Sequence, residues 1–98
     1  MSDRLNPIHP GEVLEEEFLK PLGVTKYRLA KALDVPPTRI GEIVHGKREV
    51  SAETALLLAK VLGTSPEFWL NLQAQYSLET AERKIHNKIR SVRSLCPA

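Results

Sequence analysis

Thr38, Arg39, Glu42 and His45 place a hydroxyl, a guanidinium, a carboxylate and an imidazole within one short stretch. On a helix, residues three and four apart become neighbours, so this set would share a surface. Its chemistry is recognition rather than bond making. A guanidinium at Arg39 can bond two acceptors on a guanine at once, and a threonine can touch a thymine methyl or a phosphate. Glu42 can accept from cytosine N4 or hold Arg39 through an i,i+3 ion pair. The pair is favoured, because an unpaired carboxylate beside phosphates is unfavourable. His45 stands at the far end of the stretch, where it would meet backbone. Lys26 ahead of the set, and Lys47 and Arg48 behind it, are placed to hold phosphates on either side, contacts that position a protein without reading sequence.

Other chemistry finds little support. His9 and Glu12 form the nearest approach to a metal pair, but two potential ligands in a helix-capping segment fall short of the three or four that metal sites use. No nucleophile–base pair or phosphate-binding loop is present, so no enzyme, cofactor or metal site is expected. Glu15, Glu16 and Glu17 read as a solvated acidic face that could also meet a basic protein partner. Cys96, the only cysteine, allows no intramolecular disulfide and no zinc spacing. With no apolar leader or membrane-length run, a cytoplasmic protein without membrane contact is expected.

The elements that must position these groups are helical. Pro10 suits a first helical position, and Val13, Leu14, Phe18 and Leu19 form an apolar stripe that Pro21 and Gly23 close. Thr25 caps a second helix with Leu29, Ala30 and Leu33 inward. Pro37 to His45 forms a third, with Ile40 and Ile43 or Val44 inward and Gly46 as its left-handed stop. Ser51 caps a fourth carrying Ala55, Leu56, Leu58, Ala59 and Leu62. Ser65 and Pro66 start a fifth with Phe68, Trp69 and Leu72. Ser77 is expected to cap a further amphipathic helix with Leu78, Ala81, Ile85, Ile89 and Val92 on one face and basic residues on the other. Charge is uneven along the chain: residues 1–20 are net −3, residues 81–98 net +4, and the stretch between +1. A basic face in the middle must therefore be assembled by folding.

Residues 26–45 have the pattern of a helix-turn-helix. Ala30 is small where the two helices cross, and Asp34 stands where the turn needs a residue that tolerates positive φ. Leu29, Leu33, Val35, Ile40 and Ile43 supply the contacts that set the angle between the helices. In such a motif the second helix enters the major groove.

Two flanking segments go beyond the motif. His9-Pro10-Gly11-Glu12-Val13-Leu14 precedes it, and Gly63-Thr64-Ser65-Pro66-Glu67-Phe68-Trp69-Leu70-Asn71-Leu72-Gln73-Ala74-Gln75-Tyr76 follows it. With Arg39-Ile40-Gly41-Glu42-Ile43-Val44-His45-Gly46-Lys47-Arg48 between them, they resemble the HigA antitoxins of bacterial addiction modules. The helix-turn-helix alone resembles Xre/Cro-like regulators in general. The resemblance, over roughly residues 8–82, implies a non-enzymatic homodimer that represses its own promoter at a palindromic operator. It also implies a partner, a HigB-type mRNA-cleaving toxin.

The expected architecture is all-α: a five-helix, lambda-repressor-like helix-turn-helix domain with an additional C-terminal amphipathic helix. Residues 1–8 form an N-terminal arm, 9–76 the DNA-binding domain and 77–98 the C-terminal helix and basic tail. Phe68, Trp69, Leu72, Leu78 and Ile85 are the expected dimer surface. Related motifs usually carry serine and glutamine where this chain has Pro36 and Pro37, which shifts base reading onto Thr38 and Arg39, with Glu42 as a further candidate. Two other readings stay open: a stand-alone Xre/Cro-type repressor without a toxin, and an interaction module that has lost DNA binding.

Overall fold

A computed structural model describes residues 6–96, so most of the expected arm over 1–8 lies outside the described residues. Among them the chain forms helices only. The first, α1, runs through Pro10–Val13, Leu14–Leu19 and Lys20–Leu22. His9 caps it, its Nδ1 accepting the Gly11 N–H at 2.9 Å. The middle segment is π-helical, and the Lys20 N–H reaches back five residues to the Glu15 carbonyl. A proline at position 21 would clash with the carbonyl four residues back in an α-helix and has no N–H to give. Widening the turn ahead of it lets the chain pass. Pro21 therefore does not close α1, as its sequence suggested. Gly23, left-handed at φ 67°, does.

Helix α2 (Lys26–Leu33) starts at Thr25, whose Oγ1 accepts the Arg28 N–H at 3.0 Å. It ends at Asp34, the only non-glycine residue with positive φ among those described. The Val35 N–H then closes on the Ala30 carbonyl at 3.0 Å, a Schellman turn. Helix α3 (Pro37–Val44) follows and stops at Gly46, with the Lys47 N–H on the Glu42 carbonyl. Helix α4 (Ala52–Leu62) is capped by Ser51. Its inward face is Ala55, Leu58 and Ala59, while Leu56 is 58% exposed, outside the core expected for it. Leu57 and Val61 are exposed beside it.

The core joins Leu14 of α1, Leu29 and Leu33 of α2, Ile40 and Ile43 of α3, Leu58 of α4 and Trp69. Buried polar groups are paired. Trp69 Nε1 donates to Thr64 Oγ1 at 2.7 Å, and Gln73 Oε1 accepts the Val50 N–H at 2.8 Å. The second bond ties the loop after α3 to helix α5 (Pro66–Lys84).

Helix α5 does not restart at Ser77. It continues through, with Ser77 Oγ accepting from Gln73 Nε2 at 3.1 Å. No proline or glycine interrupts it there, and a serine whose hydroxyl is engaged within the helix need not compete for the backbone. The break comes at Ile85, before the short α6 (His86–Ser91). Every described residue from Thr80 onward is exposed. The distal part of α5 and α6 therefore project from the bundle. The radius of gyration is 16.3 Å, against about 13 Å for a compact domain of this length.

Candidate nucleic-acid interface

The two helices of the motif cross over Ala30, which is fully buried. The left-handed turn at Asp34 then sets α3 across α2. From the other side, α1 braces α3 at Gly11, where a methyl group would fall 1.8 Å from the Ile43 carbonyl oxygen. Ile40 and Ile43 face inward and are fully buried. That leaves Thr38, Gly41, Glu42 and His45 on the solvent side, as the 3.6-residue period requires. Thr38 and His45 are exposed, and Arg39 and Glu42 are half-buried.

The expected Arg39–Glu42 ion pair does not form. Glu42 instead takes Arg48, Nε to Oε1 at 2.7 Å. Gly46 turns the chain back so that a residue six positions on reaches the carboxylate. The pair satisfies the one acid on this face and ties the loop to α3. Arg39 then has no ion pair among the described residues, which leaves its guanidinium available. The Arg48 side chain is half-exposed but partly committed to Glu42. The His45 Nδ1–H donates to the Gly41 carbonyl at 2.7 Å, folding the ring along the helix and leaving Nε2 outward.

Lys26 opens α2, half-buried, and Lys47 is exposed in the loop after α3. Lys47 and Arg48 share a groove with His9, Tyr76, Thr80 and Lys84. Lys84 was missed by sequence reasoning, which placed it only on the polar side of a distal helix. The uninterrupted α5 carries it back beside the loop. His9 underlies this groove. Its ring is buried, edge-on to Tyr76 at 4.7 Å, and Gly46 passes close over it. Burial holds its pKa below the ordinary histidine value, with the Glu49 charge opposing. Its Nδ1 is occupied by the helix cap, which argues against the metal pair with Glu12.

Of the expected dimer residues, Trp69 has no accessible surface. It belongs to the core, tilted against Phe18 and edge-to-face with Phe68 at ring-centroid distances of 5.3 and 4.9 Å. It is withdrawn from the interface. Leu72 is half-buried, and Phe68, Leu78 and Ile85 are exposed at 38%, 70% and 43%.

A family model described as helix-turn-helix matches residues 16–69. Virulence-associated protein I of Dichelobacter nodosus is 51% identical over 76 residues, covering 78% of this chain and 70% of that protein. An addiction module antidote protein of the HigA family from Coxiella burnetii superposes with a TM-score of 0.85 at 45% identity, covering 92% of this chain and 99% of the other. The chain belongs to the HigA family of helix-turn-helix antitoxins. The Pseudomonas aeruginosa antitoxin HigA, solved with the higBA promoter, superposes with a TM-score of 0.88 at 39% identity over 93% of this chain and all of that one. The resemblance read from the flanking segments is thus borne out, and so is the all-helical fold.

The start of α3 carries no polar cap. Pro36 occupies the N-cap position of α3 and gives no side-chain hydrogen bond to it. The first polar side chains at that end are Thr38 and Arg39. No helix among the described residues is long and apolar enough to cross a membrane.

Proposed function

We propose that this HigA-family antitoxin binds operator DNA in its own promoter as a homodimer, represses its operon, and neutralises a HigB-type toxin. The observation that carries the DNA reading is the electrostatic arrangement of α3. Its one carboxylate is held by Arg48, Arg39 is left without an ion pair among the described residues, and Lys47 and Arg48 follow it in a groove shared with Lys84. Arg39 and Thr38 read bases, and the lysines hold phosphates. Glu42 orders the loop rather than reading cytosine, and His45 offers Nε2 toward the backbone. The P. aeruginosa relative bound to promoter DNA supports the same use of the motif.

The geometry of operator binding supports a dimer. Two recognition helices on a palindrome must lie about 34 Å apart, in successive major grooves. The projecting end of the chain carries exposed Leu78 on α5, Ile89 on α6, and Ile85 and Val92 at the two ends of α6, apolar groups that a second copy would cover. The toxin reading rests on family membership. On α1, Glu17 lies exposed beside Glu16, which is paired with Lys20 at 2.8 Å, and this acidic face suits a basic partner.

The test is binding to a duplex from immediately upstream of the gene, beside a random duplex of equal length. Arg39→Ala is expected to lose discrimination by about 1–3 kcal/mol. Lys47→Ala should weaken both duplexes alike and reduce the slope of log K against log salt by about 1. Equal losses on both duplexes for both variants would sink this division. Co-purification with the neighbouring gene product, and growth arrest when that product is expressed alone, separates the antitoxin from a stand-alone repressor.

A further inference from the structure

Helix α3 holds a glycine near its centre, in a place where the fold does not ask for one. Glycine within a helix is unfavourable because it has the most backbone freedom to lose. Elsewhere in the chain the reasons for glycine are visible. Gly46 is left-handed at φ 75°, and Gly11 admits the Ile43 carbonyl where a side chain would collide. Gly41 has neither reason. Its φ is not positive, and a methyl group built on it meets no atom within 4 Å. It flanks Thr38, Glu42 and His45 on the solvent side of the helix.

The surroundings enlarge the bare strip. The Gly41 carbonyl accepts both the His45 backbone N–H at 3.0 Å and the His45 Nδ1–H at 2.7 Å. That folds the imidazole along the helix instead of straight outward. At the other end, Pro37 offers only a ring. Between them the one short polar side chain is Thr38. A helix with its side chains is about 10–12 Å across, and the major groove is about 12 Å wide and about 8.5 Å deep. A helix with its side chains fits that groove closely, so the depth at which its axis lies is set by the side chains that face the groove floor. A short residue such as Thr38 reaches a base edge only when the helix axis lies close to the groove floor.

We infer that Gly41 is a specificity-determining position, where the missing side chain lets α3 seat deeply enough for Thr38 and Arg39 to reach base edges. This rests on the DNA reading proposed above. Any side chain at 41 would hold the helix off the bases while leaving the flanking phosphate contacts of Lys26 and Lys47 in reach.

The test is Gly41→Ala, measured for melting temperature and for affinity to the upstream duplex and to a random duplex. Alanine is the better helix former and meets open space, so Tm should rise by roughly 3–8 °C. Affinity for the upstream duplex should fall about tenfold or more, the size of a lost base contact, while random-duplex affinity stays within about twofold. A rise in Tm with upstream affinity unchanged overturns the inference and leaves the DNA reading standing. A fall in Tm also overturns it, because the glycine would then serve the fold. If the unsubstituted protein does not distinguish the two duplexes, the DNA reading itself fails, and the inference with it.

Discussion

His9 shows how much one side chain can carry at the residue scale. Its Nδ1 must be unprotonated to accept the Gly11 N–H, and its ring lies buried between Tyr76 and the turn at Gly46. Burial lowers its pKa, only partly offset by Glu49. The unfolded chain therefore takes up a proton before the folded one does as pH falls. His9 contributes its full stability above the ordinary histidine pKa and loses it as pH drops through the lowered folded value. The expected result is a melting temperature flat at neutral pH and declining into the acidic range. His9→Asn keeps a cap but cannot titrate, so it should melt lower throughout and lose that part of the slope. An unchanged slope would mean other groups cause it. The sequence made His9 legible as a helix start because the cap depends on local spacing. The exposed place of Thr38 on α3 and the turn at Asp34 were legible for the same reason: a helix period and a left-handed turn are local rules. Glu42 was misread because its partner Arg48 lies beyond Gly46, and only the direction of that turn brings it back.

At the scale of elements, the reading helix is aimed by what lies behind it. Gly11 sits where α1 crosses α3, and an added methyl would lie 1.8 Å from the Ile43 oxygen and 2.6 Å from its carbonyl carbon. Both are backbone atoms, so no rotamer change relieves the contact and one helix must move. Gly11→Ala is expected to destabilise the fold by about 1–3 kcal/mol or more. It should also weaken discrimination between the upstream and random duplexes at temperatures where the variant remains folded, because α3 is displaced. Thermal melting and DNA binding on the same sample check both parts; an unaltered Tm would contradict the crossing. The places where element boundaries departed from the sequence reading share a cause. Pro21 and Ser77 are helix breakers by local preference, and each is overruled. A π-turn opens around the proline, and Gln73 engages the serine hydroxyl while its Oε1 holds Val50. Neither arrangement follows from neighbours in sequence alone. The same limit hid Trp69: its spacing within α5 suits an outward face as well as an inward one, and the packing of Phe18 and Phe68 decides it.

For the whole molecule, the projecting end of the chain sets the question of assembly. A monomer exposes Leu78, Ile85, Ile89 and Val92 along that end while its core is already closed by Trp69. Exposed apolar groups that close no core are the ones a second copy can bury without unfolding anything. Leu78→Glu with Ile85→Glu tests this cleanly, because both positions are exposed in the monomer and the charges need not disturb the bundle. The unsubstituted protein should sediment as a dimer, with a melting temperature that rises with concentration. The double variant should sediment as a monomer, with a concentration-independent Tm and unchanged helix content. Its affinity for the upstream duplex should fall by about 10²–10⁴, because the second half-site no longer engages as a linked event. Affinity for a single half-site should stay as it was, since Arg39, Lys26 and Lys47 are untouched. A double variant that remains dimeric would move the interface to another exposed apolar surface, such as Leu56, Leu57 and Val61 of α4. That arrangement would leave the projecting helices free, and it would set a different distance between the two recognition helices.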